Sequence, residues 1–410
     1  MSGVWERLTV ARSGADGPEP AGPALGGWRY RFPNTLRTVF QDGRGQAPVF
    51  EPALLHFPNA FRAADPRFAD ERLVRRWLAA RREALDLVLA AVSGGEHAEE
   101  LMLRGSALMS CWYLEAAREP GDLDFVVLAQ DREVSDPRTD ALFADVARTA
   151  EQLSTALPAS GVRIDASGAV SDDIWTYERV PGRRLMLPWA AEGIPGGWVQ
   201  VDFVFGEDVR IEPERARVAL SPGRAGVPLR VASKQLSLAW KLVWLLTDMH
   251  PQGKDLYDAV LLAEDTPLAY AVLREELVAA DEHYGSRPVG LSDLSELDPE
   301  LGWDDFQREY PSVQGPAKDW LLRLGVALEP TFTLLEGRPA TAYELEAAWI
   351  EPLTARIAAA TDDRGEGLQR MLLLEGIKPA LAVVITRELV GRERMSVAEA
   401  VRVVLSHPGR

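Results

Sequence analysis

At 410 residues, 47% of them hydrophobic and 26% charged, the chain is too long for one ordinary core and reads as two or three packed domains. A formal net charge of −17 excludes a surface that coats polyphosphate at large, since unspecific nucleic-acid affinity comes from Lys and Arg neutralising phosphates. The one cysteine, Cys111, excludes an intramolecular disulfide and a Cys-based zinc cluster, which fits a reducing compartment.

Residues 1–70 hold Pro- and Gly-rich clusters such as GADGPEPAGPALGG and read as an extended N-terminal arm. The opening MSGVWERLTVARSGADGPEP lacks the pattern of a secretory signal, and no run of about eighteen uncharged apolar residues occurs. The expectation is a cytoplasmic chain without membrane contact.

From 71 to 232 the pattern alternates. A helix is expected over 72–92, another over 106–118, a strand over 123–129 and a helix over 139–156. Strands follow around VRIDASGAV, RRLMLPW and VQVDFVF. This order predicts an α+β fold: a small mixed β-sheet core with flanking helices. Arg72, Arg75, Arg76, Arg81 and Arg82 punctuate the first helix, as a solvated face or as a local patch for RNA. Residues 233–410 read as a mainly helical C-terminal domain. It opens on the amphipathic SKQLSLAWKLVWLL and closes on a helix with a capping box at Ser396 and Glu399. The acidic, Pro-containing GLSDLSELDPELGWDD, residues 290–305, reads as a long connection within it.

The chemistry concentrates in LMLRGSALMSCWYLEAAREPGDLDFVVLA. Gly105 lets backbone approach a bulky ligand, and Ser106 is placed to cap the helix that follows. A helix N-terminus presents free N–H groups and the positive end of a dipole, which suits a phosphate. Asp122 and Asp124 then alternate with Leu123 and Phe125, so the two carboxylates share one strand face. Two adjacent carboxylates repel unless protonated or bridged by a hard cation such as Mg2+ or Mn2+. In VQVDFVF, Asp202 emerges from the polar face of another strand. Three strand-borne acids can hold two metals, the arrangement used in phosphoryl and nucleotidyl transfer. Further on, Lys241 lies on the long helix, and Lys254, Asp255 and Asp258 open the next. A lysine aimed into the cleft would neutralise triphosphate charge, whereas an exposed i, i+4 pair and a snorkelling lysine are the ordinary alternative. His56, His97, His250, His283 and His407 show no metal-ligand spacing, and Trp240 with Trp244 reads as core.

RGSAL, GDLDFVV, VQVDFVFGED, LAWKLVWLL and GKDLYD stand in the order of the motifs of the nucleotidyl transferase AbiEii/AbiGii toxin family, within the DNA polymerase β-like nucleotidyltransferases, which this chain resembles over about 75–265. The resemblance implies transfer of a nucleoside monophosphate from an NTP to an acceptor, RNA such as the tRNA 3′ end in toxin members. It also implies a cognate antitoxin and a role in phage defence. It places the catalytic and metal-binding carboxylates at Asp122, Asp124 and Asp202. The nucleotide-binding residues fall at Gly105, Ser106, Lys241, Lys254, Asp255 and Asp258. Where the family often carries an Arg after the lysine helix, this chain has Thr247, Asp248 and Met249. The acidic charge leaves a cationic small molecule as an alternative acceptor, and a catalytically silent scaffold as an alternative of another class.

Overall fold

The computed structural model describes residues 33–37, 46, 48–156, 161–176, 180–297, 302–360 and 377–406. His407 and most of the expected arm lie outside them. The chain divides into two compact units. Unit 1 takes the described residues up to Ser233 together with Asp305–Val313, and unit 2 takes Lys234–Asp304 and the described residues from Gln314 on.

In unit 1 the strands in chain order are β1 (Pro48–Phe50), β2 (Phe61–Ala63), β3 (Leu101–Arg104), β4 (Asp122–Val127), β5 (Val162–Ile164), β6 (Val170–Thr176), β7 (Val180–Ala191), β8 (Ile194–Val204), β9 (Glu214–Val218) and β10 (Val227–Val231). Three helices accompany them: α1 (Glu71–Gly94), α2 (Ser106–Tyr113) and α3 (Pro137–Ala156). β1 and β2 pair with each other, so residues 48–63, expected as extended arm, carry a short antiparallel ribbon. The main sheet runs β5-β7-β8-β4-β3-β10-β9, with β6 also on β7. β4·β8 and β3·β10 are parallel, and the other pairs are antiparallel. This is the mixed sheet with flanking helices that the alternating pattern predicts.

Local chemistry explains the elements that frame the site. The Asp70 carboxylate accepts the Arg72 N–H and caps α1, whose stripe Trp77, Ala84, Leu85, Val88, Leu89 and Val92 is buried. The Asp86 carboxylate, also buried on α1, accepts the N–H groups of Leu220 (2.7 Å) and Ser221 (2.9 Å) and so ties the loop after β9 to the helix. In β4, Leu123 and Phe125 point into the core while Asp122 and Asp124 stay half-buried. Phe125 stacks on Phe203 of β8 with ring centroids 5.6 Å apart, and Phe143 of α3 packs on the same ring. α2 stops at Tyr113, short of the expected 118, because Leu114 takes a left-handed φ of 49° and opens a single 3-10 turn.

Of the α1 arginines, Arg81 and Arg82 are drawn into ion pairs of the fold, while Arg72, Arg75 and Arg76 stay on the exposed face. Buried Arg81 donates to Asp65 at 2.6 Å, Arg82 to Glu119 at 2.7 Å, and Arg76 to the Glu192 carbonyl at 3.2 Å. Arg75 lies 3.6 Å from Glu71.

Residues 305–313 belong with unit 1 although they lie inside 233–410, expected as one helical domain. The Arg62 guanidinium donates to Glu309 at 2.8 Å, and Arg67 donates to the Arg308 carbonyl at 3.0 Å. Coulombic attraction to Glu309 and Glu51 outweighs the burial that would lower the Arg62 pKa and leaves it raised.

Unit 2 is helical. Its helices include α4 (Lys234–Thr247), α5 (Gly253–Asp265), α6 (Tyr270–Ala280) and α7 (Leu291–Ser295). The stretch 290–305, expected as a connection, therefore holds α7, whose Asp293 carboxylate accepts the Gly290 N–H at 2.9 Å. Trp240 and Trp244 are core, and the Trp240 indole donates to Glu276 at 2.8 Å. The last helix, Val397–Ser406, opens on the predicted capping box: the Glu399 carboxylate accepts the Ser396 N–H at 2.8 Å, and the Ser396 hydroxyl accepts the Glu399 N–H at 3.3 Å. No helix among the described residues is long and apolar enough to cross a membrane.

Candidate active site

Register assembles the three sequence-predicted aspartates on one sheet. Asp124 of β4 stands beside Asp202 of β8 in the parallel pairing, and Asp122 stands beside Gln200. Arg104 of β3 is opposite Asp124, and Arg184 of β7 is opposite Asp202. One row across four strands therefore reads Arg104, Asp124, Asp202, Arg184. Register partners share a sheet face about 4.5–5.5 Å apart, so two like carboxylates sit together with a guanidinium on either flank.

The flanks are spoken for. Arg104, buried, pairs with Glu207 at 2.6 Å. Arg184 grips Asp202 through both fork nitrogens, Nε to Oδ1 and Nη2 to Oδ2, each at 2.8 Å. The Gln200 amide also donates to Asp202 Oδ2, at 3.2 Å. Behind Arg184, Glu51 lies 3.8 Å away and leads to Arg62 at 3.3 Å. Burial pushes the Asp202 carboxyl up from its ordinary range, and the Arg184 guanidinium pulls against it. Burial would lower the Arg184 pKa, yet the charges of Asp202 and Glu51 carry it far above the ordinary value.

The turn from β3 into α2 supplies the other wall. Gly105 is the N-cap of α2 with φ of 80°. A Cβ there would land on the Asp124 carboxylate, 3.1 Å from its Cγ, so the glycine is required twice, by its backbone and by the close approach. Ser106 does not cap the helix as expected. With Gly105 in the cap position, Ser106 is the first helical residue, and its buried hydroxyl donates to Asp122 Oδ1 at 3.0 Å. A hydroxyl thus orients one acid while a backbone turn packs against the other.

Hard oxygen donors, half exposed beside a helix N-terminus, make Asp122 and Asp124 suitable for Mg2+ or Mn2+. Asp202 fits differently, since Arg184 covers both of its oxygens. Among the described residues, no group of three or more His, Cys, Asp or Glu side chains is arranged to hold a metal ion.

The remaining sequence-predicted residues come together in unit 2. Lys241 of α4 is buried, with its ammonium 2.8 Å from Asp255 Oδ1 and 3.2 Å from Asp258 Oδ2 on α5, and 4.7 Å from the Trp244 ring centroid. Lys254 is the neighbour of Asp255 on α5 and is half-buried. The ordinary alternative, an exposed i, i+4 pair of Lys254 and Asp258, is not the arrangement seen, because Asp258 is fully buried against Lys241.

Arg184, Gln200, Arg104 and Glu51 were not found from sequence. A signal existed for one of them: β7 and β8 form a hairpin around Gly193, and Arg184 and Asp202 lie equally far from that glycine along the two strands.

Residues 87–324, more than half of the chain, match the family model described as "Nucleotidyl transferase AbiEii toxin, Type IV TA system". No curated protein matches. Among solved structures, the nucleotidyltransferase toxin MenT4 of Mycobacterium tuberculosis H37Rv is similar, with 15% identity and a TM-score of 0.37. That match covers 65% of this chain and 100% of MenT4, a likeness too distant to carry any argument about this chain. The chain belongs to the AbiEii nucleotidyl transferase toxin family of type IV toxin–antitoxin systems, and it is a nucleotidyltransferase.

Proposed function

We propose that the chain transfers a nucleoside monophosphate from an NTP to RNA, such as the tRNA 3′ end, as the toxin partnered by a cognate antitoxin in phage defence. Nucleotidyltransferases of this family take an NTP and a divalent metal, and membership implies an antitoxin. The observation that carries the site assignment is the register pairing of Asp124 with Asp202, with Asp122 on the same strand face. Asp122 and Asp124 would hold Mg2+ or Mn2+, with Asp202 as the third carboxylate. The bound ion would neutralise triphosphate charge.

The chain's own residues do the positioning. Ser106 holds the Asp122 carboxylate through its hydroxyl, Gly105 lets the turn close onto Asp124, and the α2 N-terminus would offer backbone N–H groups to a phosphate. Lys241, Lys254, Asp255 and Asp258 are proposed as nucleotide-side residues on the resemblance. The buried contacts of Lys241 support a second reading of Lys241, Asp255 and Asp258, as an ion cluster joining α4 to α5.

Incubation with each α-labelled NTP, with total RNA or with a panel of cationic small molecules, tests the acceptor. Label in RNA, concentrated in the tRNA fraction, is the expected result. Label in a small molecule and none in RNA would overturn the RNA assignment and favour the reading that the charge of −17 supports.

A further inference from the structure

We infer that Arg184 is a built-in counter-cation taking the place of a second metal ion, so that the site holds one divalent ion where three aspartates could hold two. The inference rests on the metal reading of Asp122, Asp124 and Asp202 given above. Two-metal sites need carboxylate oxygens open on both sides of the transferring phosphoryl group. Here the carboxylate farthest from α2 is closed. Both Asp202 oxygens accept from the Arg184 fork at 2.8 Å, and Oδ2 also accepts from Gln200 at 3.2 Å. A carboxylate offers about four lone-pair sites, and these donors take three of them. Mg2+ demands near-ideal ligand geometry, and bulk around Asp202 is already filled by a planar fork.

Arg184 is also not free to leave. Its side chain is 3% exposed, so pulling it out would abandon a buried carboxylate. It is backed by alternating charges, Glu51 at 3.8 Å, then Arg62 at 3.3 Å, then Glu309 at 2.8 Å from Arg62. Asp122 and Asp124, half-buried on the neighbouring strand, are the carboxylates that the metal reading offers to the one divalent ion. Arg184 is thus a positioning residue that acts through Asp202.

Counting bound Mn2+ on the full chain, from the loss of its free-ion paramagnetic resonance signal, tests this without any turnover. Wild type should hold one tightly bound ion per chain, and Arg184→Met should hold two. Arg184→Lys, which leaves one Asp202 oxygen uncovered, should gain a second ion at least tenfold weaker than the first. Two ions on wild type would overturn the inference and leave the metal reading standing. So would a single ion on folded Arg184→Met or, if that protein does not fold, on Arg184→Lys. No tight ion on wild type would overturn the metal reading itself, and the inference with it.

Discussion

The two units each bury an ion cluster, and the clusters are built oppositely. In unit 2, Lys241 stands between Asp255 and Asp258, with side-chain exposures of 5%, 7% and 0%. In unit 1, Arg184 and Asp202 are as deeply buried, but Asp122 and Asp124 stand half exposed beside them on the same sheet. A closed cluster is satisfied by the chain itself and serves the fold. An open one sets two carboxylates side by side where solvent reaches them, an arrangement that a bound cation would favour. Burial alone therefore does not distinguish the two clusters, whereas the continuation of a buried pair into half-buried acids does.

The sharpest way to break this contrast is to remove the lysine of the closed cluster. Lys241→Met leaves two buried aspartates without their cation, and breaking a buried pair costs about 3–5 kcal/mol. Chemical denaturation should show a loss of that size, and calorimetric NTP titration of the folded fraction should show an affinity lower by one to two orders of magnitude, since a Lys–phosphate contact contributes roughly 1.5–3 kcal/mol. An affinity within about threefold of wild type would take Lys241 from the nucleotide and leave it to the ion cluster of α4 and α5 alone.

Gly105→Ala probes the wall of the open cluster. A non-glycine residue in that backbone region costs roughly 1–3 kcal/mol, and the added methyl displaces the Asp124 carboxylate. Transfer should fall by more than the stability loss explains, seen as a lower kcat at a temperature where the variant is fully folded. Unchanged kcat would separate Asp124 from the chemistry. Ser106→Ala is the mildest change. Losing one hydrogen bond to Asp122 costs about 0.5–1.5 kcal/mol, and Mn2+ affinity should weaken by no more than about tenfold. A loss of helix stability without change in Mn2+ affinity would restore the capping role expected for Ser106.

Much of this site was legible because strands repeat every two residues. Alternation in DLDFVV and VQVDFVF is enough to put Asp122, Asp124 and Asp202 on polar faces. The Ser396 and Glu399 capping box was equally local and equally readable. Arg184 was not, because its meaning lies in a pairing across a hairpin whose turn at Gly193 has to be placed first. Glu51 and Arg62 come from a stretch that reads as extended arm, and only tertiary packing brings Glu51 beside Arg184. The arginines of α1 illustrate the same limit: helical spacing cannot reveal that Asp65 and Glu119 wait opposite Arg81 and Arg82.

Label transfer from α-labelled NTP by Asp124→Asn, measured beside its melting temperature, tests the central claim most directly. The substitution keeps the shape of the side chain and removes one of two adjacent charges. Metal-assisted stabilisation amounts to several kcal/mol, so transfer should fall on the order of a thousandfold. The metal-free protein should melt at the wild-type temperature or above it, because like-charge repulsion with Asp202 and Asp122 is relieved. Undiminished transfer by a folded Asp124→Asn chain would contradict the assignment of the open aspartates as the site of chemistry.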